Sequence, residues 1–205
     1  MPFERSEPLR IDLTPKLLAK MGGRKRKLGR YSASEIYKMI TPGLPWGMPV
    51  AKYFDVEDIT PEGAMRMING IINHEQVQKH LDQNKCEIKK EYDYNGEFTL
   101  VGKADYLPDT DTVWEIKTSD TAMAKSKPWH DHQCKLYCTM FGRSKGYILQ
   151  PVIEDNHLIL KEIGFVERDD EWFEQEMQKL LNYHERLKVY EDSYATIQSP
   201  VAESV

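Results

Sequence analysis

Alternation and helical spacing divide the chain into two kinds of stretch. Residues 87–92, 98–106 and 112–117 are short runs rich in β-branched and aromatic residues. Tyr94-Asn95-Gly96 and Pro108-Asp109-Thr110-Asp111 separate them with turn composition, which predicts a three-stranded meander. Residues 146–153 and 158–166, joined through Glu154-Asp155-Asn156-His157, predict a second hairpin. Elsewhere the spacing is helical. Ser32 followed by Glu35 forms a capping box, which predicts a helix that Thr41-Pro42-Gly43 ends. Thr60-Pro61 opens a second helix, whose apolar stripe of Ala64, Met67, Ile68, Ile71, Val77 and Leu81 also holds His74. Pro128 starts a third, stopped by Gly142, on which Trp129, Gln133, Tyr137 and Phe141 fall at spacings of four. Asp169 or Asp170 caps a last helix that packs through Trp172, Phe173, Met177, Leu180, Leu181 and Leu187.

At 205 residues, 40% hydrophobic and 30% charged, the chain fits one globular domain, 1–205. Its expected parts are an arm or helix over 1–30 built on Leu13, Leu17, Leu18 and Met21, a core over 31–166, a helix over 167–192 and a loose tail over 193–205. No apolar run is long enough to span a bilayer, and the first residues lack a signal-peptide hydrophobic region, so no membrane partner is expected. The expected location is the cytoplasm, that of a host if the gene is viral or mobile. Cys86, Cys134 and Cys138 are an odd set without a Cys-x-x-Cys pair, which points to reduced thiols. A formal net charge of −5 does not advertise a nucleic-acid binder. Locally, however, Arg24, Lys25, Arg26, Lys27 and Arg30 follow Gly22-Gly23 as a basic cluster, either a DNA contact or a solvated arm.

The chemistry concentrates in residues 102–117. Period-two alternation puts Val101, Lys103 and Asp105 on one strand face and Val113, Glu115 and Lys117 on one face of the next. A turn centred near Thr110 sets Asp105 opposite Glu115. Two carboxylates so placed need a cation between them, or one must protonate, and a divalent metal with oxygen ligands meets that need. The plainer alternative is a solvated face with an ordinary Glu/Lys pair. His74 reads equally as a satisfied core histidine, and Gln133 with Tyr137 as a local hydrogen-bonded pair at the core edge.

Taken in order, Gly70-Ile-Ile-Asn-His74, Gly102-Lys-Ala-Asp105, Glu115-Ile-Lys117 and Gln133-Cys-Lys-Leu-Tyr137, with Ser32-Ala-Ser34 at a helix start, resemble the RecB-like branch of the PD-(D/E)XK nucleases, including its CRISPR-associated exonuclease-like members. The resemblance spans about residues 31–141. It implies an α/β restriction-endonuclease-like core, a mixed central β-sheet flanked by helices, and metal-dependent hydrolysis of DNA with single strands or free ends preferred, as an exonuclease that also has scope for endonuclease cleavage. It implies that His74, Asp105, Glu115 and the Ile116 carbonyl ligate Mg²⁺ or Mn²⁺, that Lys117 orients the attacking water, and that Gln133 and Tyr137 contact the scissile phosphate or a nearby base. Basic residues, Lys125 among them, would track the DNA backbone, and Tyr106, Trp129 and Tyr137 would stack bases. Members that hold a four-iron cluster need a cysteine where Thr41-Pro42 stands and three near the C-terminus, whereas no cysteine follows Cys138, so no iron-sulfur cluster is expected. No phosphate-binding loop of the helicase type is present, so duplex opening would fall to a helicase or recombination partner. The alternative is a non-catalytic DNA-binding adaptor of a recombination or replication complex on the same fold. Homo-oligomerisation is left open.

Overall fold

A computed structural model describes residues 26–41, 43, 47–55, 60–119 and 123–198. The expected helix around Leu13 to Met21, together with Arg24, Lys25 and Pro42, lies outside the described residues. The elements run β1 (Arg30–Ser32), α1 (Ile36–Ile40), a 3₁₀ turn (Val50–Lys52), α2 (Pro61–Gln78), a second 3₁₀ turn (Gln83–Lys85), β2 (Cys86–Tyr94), β3 (Phe98–Tyr106), β4 (Thr112–Ile116), α3 (Pro128–Phe141), β5 (Lys145–Glu154), β6 (His157–Glu167) and α4 (Asp170–Gln198).

Both expected hairpins are present. β2 runs antiparallel to β3 from Tyr94↔Phe98 to Cys86↔Tyr106, and β5 pairs antiparallel with β6 from Glu154↔His157 to Lys145↔Glu167. The six strands form one mixed sheet in the order β1-β3-β4-β5-β6, with β2 on β3 as well; β1–β3 and β4–β5 are the parallel pairs. β3 is therefore the hub. β2 follows one of its edges throughout, while β1 takes Thr99 to Val101 and β4 only Tyr106, opposite Trp114. The sheet forks between those two contacts.

One hydrophobic core joins the sheet to α1, α3 and α4. α3 comes very close to β5 because Gly146 has no side chain: a Cβ there would meet Cys134 Sγ at 2.5 Å and Cys138 Sγ at 3.0 Å. Those two buried, free cysteines are the small residues that permit the approach. Gly142 ends α3 in the left-handed conformation at φ 66°, as glycine does at helix ends.

Three expectations need correction. Ser32 does not cap a helix: its backbone belongs to β1 and its hydroxyl lies 2.9 Å from that of Ser34. Glu35, the other half of the expected box, instead accepts from the Arg26 guanidinium at 3.0 Å, so α1 begins at Ile36. α4 continues to Gln198, past the expected start of a tail at 193. The stripe on α2 is only partly buried, with Met67 37% exposed, because that helix borders an open pocket. Among the described residues, no helix is long and apolar enough to cross a membrane.

Candidate metal and nucleic-acid site

The fork in the sheet makes the site. β3 and β4 pair only beside their turn, at Tyr106↔Trp114. One residue further along, the Ile116 amide donates to Asp105 Oδ2 at 2.7 Å, so a carboxylate stands where a strand carbonyl would otherwise accept. Glu115, on the strand opposite Asp105, is 3% exposed, and its Oε1 accepts from Lys117 Nζ at 2.5 Å. Its Oε2 is buried without any hydrogen-bond partner. Lys117 Nζ also donates to Gln133 Oε1 at 3.1 Å, and the Gln133 amide donates to Tyr137 Oη at 3.0 Å. The spacing of four on α3 thus brings Gln133 and Tyr137 to the end of β4 as one relay.

α2 supplies the opposite wall. Thr118, just after β4, donates its hydroxyl to the Gly70 carbonyl at 3.2 Å and pins the helix. One turn on, His74 Nε2 lies 3.6 Å from Asp105 Oδ1 and 3.5 Å from Glu87 Oε1. Gln78 places its Nε2 2.8 Å from the same imidazole nitrogen and donates to Glu87 Oε1 at 3.1 Å. The intervening pocket has a volume of about 400 Å³ and is lined by α2 together with Glu87, Lys103 and Asp105.

Charge is poorly balanced here. Burial pushes the Asp105 carboxyl up to about 6, against the pull of Lys117 and of the Ile116 amide. Burial and then Asp105 push Glu115 up to about 7, even with the Lys117 ammonium in contact. Burial alone would lower Lys117, but Glu115 and Asp105 outweigh it and hold the amine above its ordinary value. His74 is held below the ordinary imidazole value, chiefly by burial. Burial raises the Tyr137 phenol well above its usual value, which keeps it a neutral donor. Two buried carboxyls beside one ammonium, with one carboxylate oxygen unpartnered, fit a divalent cation with oxygen ligands.

Glu87 is a member that sequence reasoning missed. One ligand atom each from His74, Glu87 and Asp105 lie within 4.8 Å of one another, a set that includes Glu87 and not Glu115. Counting back from the Asn95-Gly96 turn pairs residue 87 with residue 105, so the signal was there. Glu87 sits at φ 55°, out of the strand conformation, and Lys103 Nζ binds its Oε2. His130 was also passed over. Burial, then Lys117 and Lys127, hold its imidazole down at about 4, so it feels the site's ammonium.

The expected DNA contacts are less convergent. Tyr106 follows Asp105 in β3 and so takes the other face, where it packs on Trp114 at 5.3 Å between ring centroids. Arg30 is paired with Glu91 at 2.9 and 2.6 Å, and Arg26 with Glu35, so neither guanidinium is free. They also lie beside the far end of β3: Arg30 is level with Thr99, six residues or roughly 20 Å from Asp105. Lys27 is exposed next to them. Lys125 is exposed ahead of α3, and Trp129, one turn before Gln133, carries the Lys127 ammonium 5.2 Å from its ring.

No family model and no curated protein matches the sequence. Solved structures do share its fold at low identity. SSO0001 superposes with a TM-score of 0.56 at 18% identity, over 92% of this chain and 94% of that one. LHK-Exo, an alkaline exonuclease from Laribacter hongkongensis, superposes in its complex with dAMP with a TM-score of 0.61 at 16% identity, over 84% of this chain and 96% of that one. In a second LHK-Exo structure the values are 0.58 and 16%, over 91% and 100%. The fold is the PD-(D/E)XK type, a mixed central sheet flanked by helices.

Proposed function

We propose that the chain is a metal-dependent deoxyribonuclease that hydrolyses phosphodiester bonds in single strands or from free ends, chiefly as an exonuclease, and that it belongs to the RecB-like branch of its fold. The observation that carries this reading is the convergence of Asp105, Glu115 and Lys117 at the fork of the sheet, beside His74, with one carboxylate oxygen left unpartnered. Asp105, Glu115, His74 and the Ile116 carbonyl would hold Mg²⁺ or Mn²⁺, with Glu87 close enough to join them. Once bound, the ion would neutralise a phosphate oxygen and make a coordinated water more acidic.

The remaining roles belong to the chain itself. Lys117, kept protonated by its two carboxylates, orients the attacking water and offsets charge on the phosphate instead of acting as a base. Gln133 fixes Lys117 from behind. Tyr137 Oη accepts from Gln133, so its own proton is left to donate to a phosphate oxygen or a base edge. Trp129, in the first turn of α3, and Lys127, just before it, provide a stacking ring and a charge side by side.

The test is digestion of end-labelled linear and circular single-stranded DNA with Mg²⁺, Mn²⁺ or EDTA, beside folded Glu115→Ala and Lys117→Ala proteins. Metal-dependent loss of linear substrate, abolished by both substitutions, is expected; cutting of the circle would add endonuclease activity. Binding without cleavage in either metal would replace this reading with the adaptor.

A further inference from the structure

A second cluster of ligand groups lies at the other end of β3, on elements the candidate site does not use. α4 brings His184 and Glu185 to the β2–β3 turn, where Glu97 stands. One ring nitrogen of His184 and one carboxylate oxygen from each glutamate lie within 4.8 Å of one another. His184 is 2% exposed and packs edge-on against Tyr31. Its Nδ1 lies 2.5 Å from Tyr31 Oη, while its Nε2 is buried with no hydrogen-bond partner. Buried imidazole nitrogens are normally satisfied, so a free one on a ring that also brings a nitrogen within reach of two carboxylates needs an explanation.

We propose that Glu97, His184 and Glu185 form a structural site for a borderline divalent cation, Zn²⁺ foremost, that ties α4 to the β2–β3 turn. One imidazole nitrogen and two carboxylate oxygens are a donor set suited to Zn²⁺ or Co²⁺. Tyr31 completes it in the way metal-binding histidines are usually supported: with Nδ1–H donating to Tyr31 Oη, the lone pair of Nε2 is left for the ion. Lys188 is the present counter-charge, 2.8 Å from Glu185 Oε1 and 3.5 Å from Glu97 Oε2. It is a flexible, half-exposed side chain that can swing into solvent when a divalent ion takes its place.

The experiment is thermal unfolding of the full chain in a His74→Gln, Glu87→Gln background, which removes two of the three ligand groups gathered at the other site, against Zn²⁺ alone. At a hundredfold excess over the dissociation constant the melting temperature should rise by about 5–10 °C. The rise should vanish in the Glu97→Gln, Glu185→Gln double variant, and Lys188→Met should bring it on at lower Zn²⁺ because a competing cation is gone. No rise in the His74→Gln, Glu87→Gln protein, or an equal rise once Glu97→Gln and Glu185→Gln are added to it, would overturn the site. Neither result depends on whether the protein cuts DNA.

Discussion

At the scale of single residues, Glu115 is the group on which chemistry and stability oppose each other. Its folded carboxyl, pushed up to about 7, keeps a proton at a pH where the unfolded chain has lost it. Protons therefore favour the folded state, and this contribution is lost as pH rises through about 7. His74, His130 and His184, all lowered, act in the opposite direction, so the quantity to read is a difference between two proteins: His130 and His184 cancel in it, and His74, which Glu115 pulls upward, leaves only its coupling to that carboxylate. Measured by urea unfolding in EDTA, the stability of Glu115→Gln relative to wild type should grow by about 1 kcal/mol between pH 6.5 and pH 8. A flat difference would mean that Lys117 keeps Glu115 ionised throughout. Much of this was legible beforehand. Alternation alone put Asp105 opposite Glu115, because a period of two leaves no freedom once the turn is located. The unpartnered Oε2 and the departure of Glu87 from strand geometry were not legible, since alternation carries neither hydrogen-bond partners nor backbone dihedrals.

At the scale of elements, the helix and strand boundaries followed punctuation where it was strong. Thr60 accepts from the Gly63 amide at 3.1 Å, and Pro128 and Gly142 bracket α3 as expected. β1 was missed: three residues carry no periodicity, and the capping-box letters at Ser32 and Glu35 were taken up by tertiary partners. The close packing of α3 on β5 is likewise invisible until the sheet is seen, yet it rests on one glycine. Gly146→Ala would drive a methyl into two sulfurs and a Val166 methyl at 2.8 Å, all in the core. It should destabilise the protein by about 1–3 kcal/mol, read as a lower denaturation midpoint at unchanged slope. An unchanged midpoint would show that α3 can shift away from the sheet at little cost.

At the scale of the whole molecule, the net charge of −5 means that any attraction for DNA is local. The basic cluster at residues 24–30 reads in sequence as either a DNA contact or a solvated arm, and of its described members Arg26 and Arg30 are paired with Glu35 and Glu91. Sequence order cannot show such pairings, because Arg30 and Glu91 are 61 residues apart. Under the proposed function, phosphate tracking would fall to lysines around α3 and the pocket. Replacing Lys125 and Lys127 together with Ala should reduce the slope of log binding constant against log salt by about 1.4 for a single strand, whereas Arg30→Ala should leave it nearly unchanged. The reverse pattern would put the DNA path along β1.

The fork between β3 and β4 has one further consequence. On its β3 side the Ile116 amide leans on Asp105 rather than on a strand carbonyl, so while β5 holds one flank of the tip of β4, the other is held by a carboxylate that an arriving proton or ion would engage. Architecture and chemistry share an atom there. Whatever settles on Asp105 would be felt at that flank of the strand that carries Glu115, through a single amide.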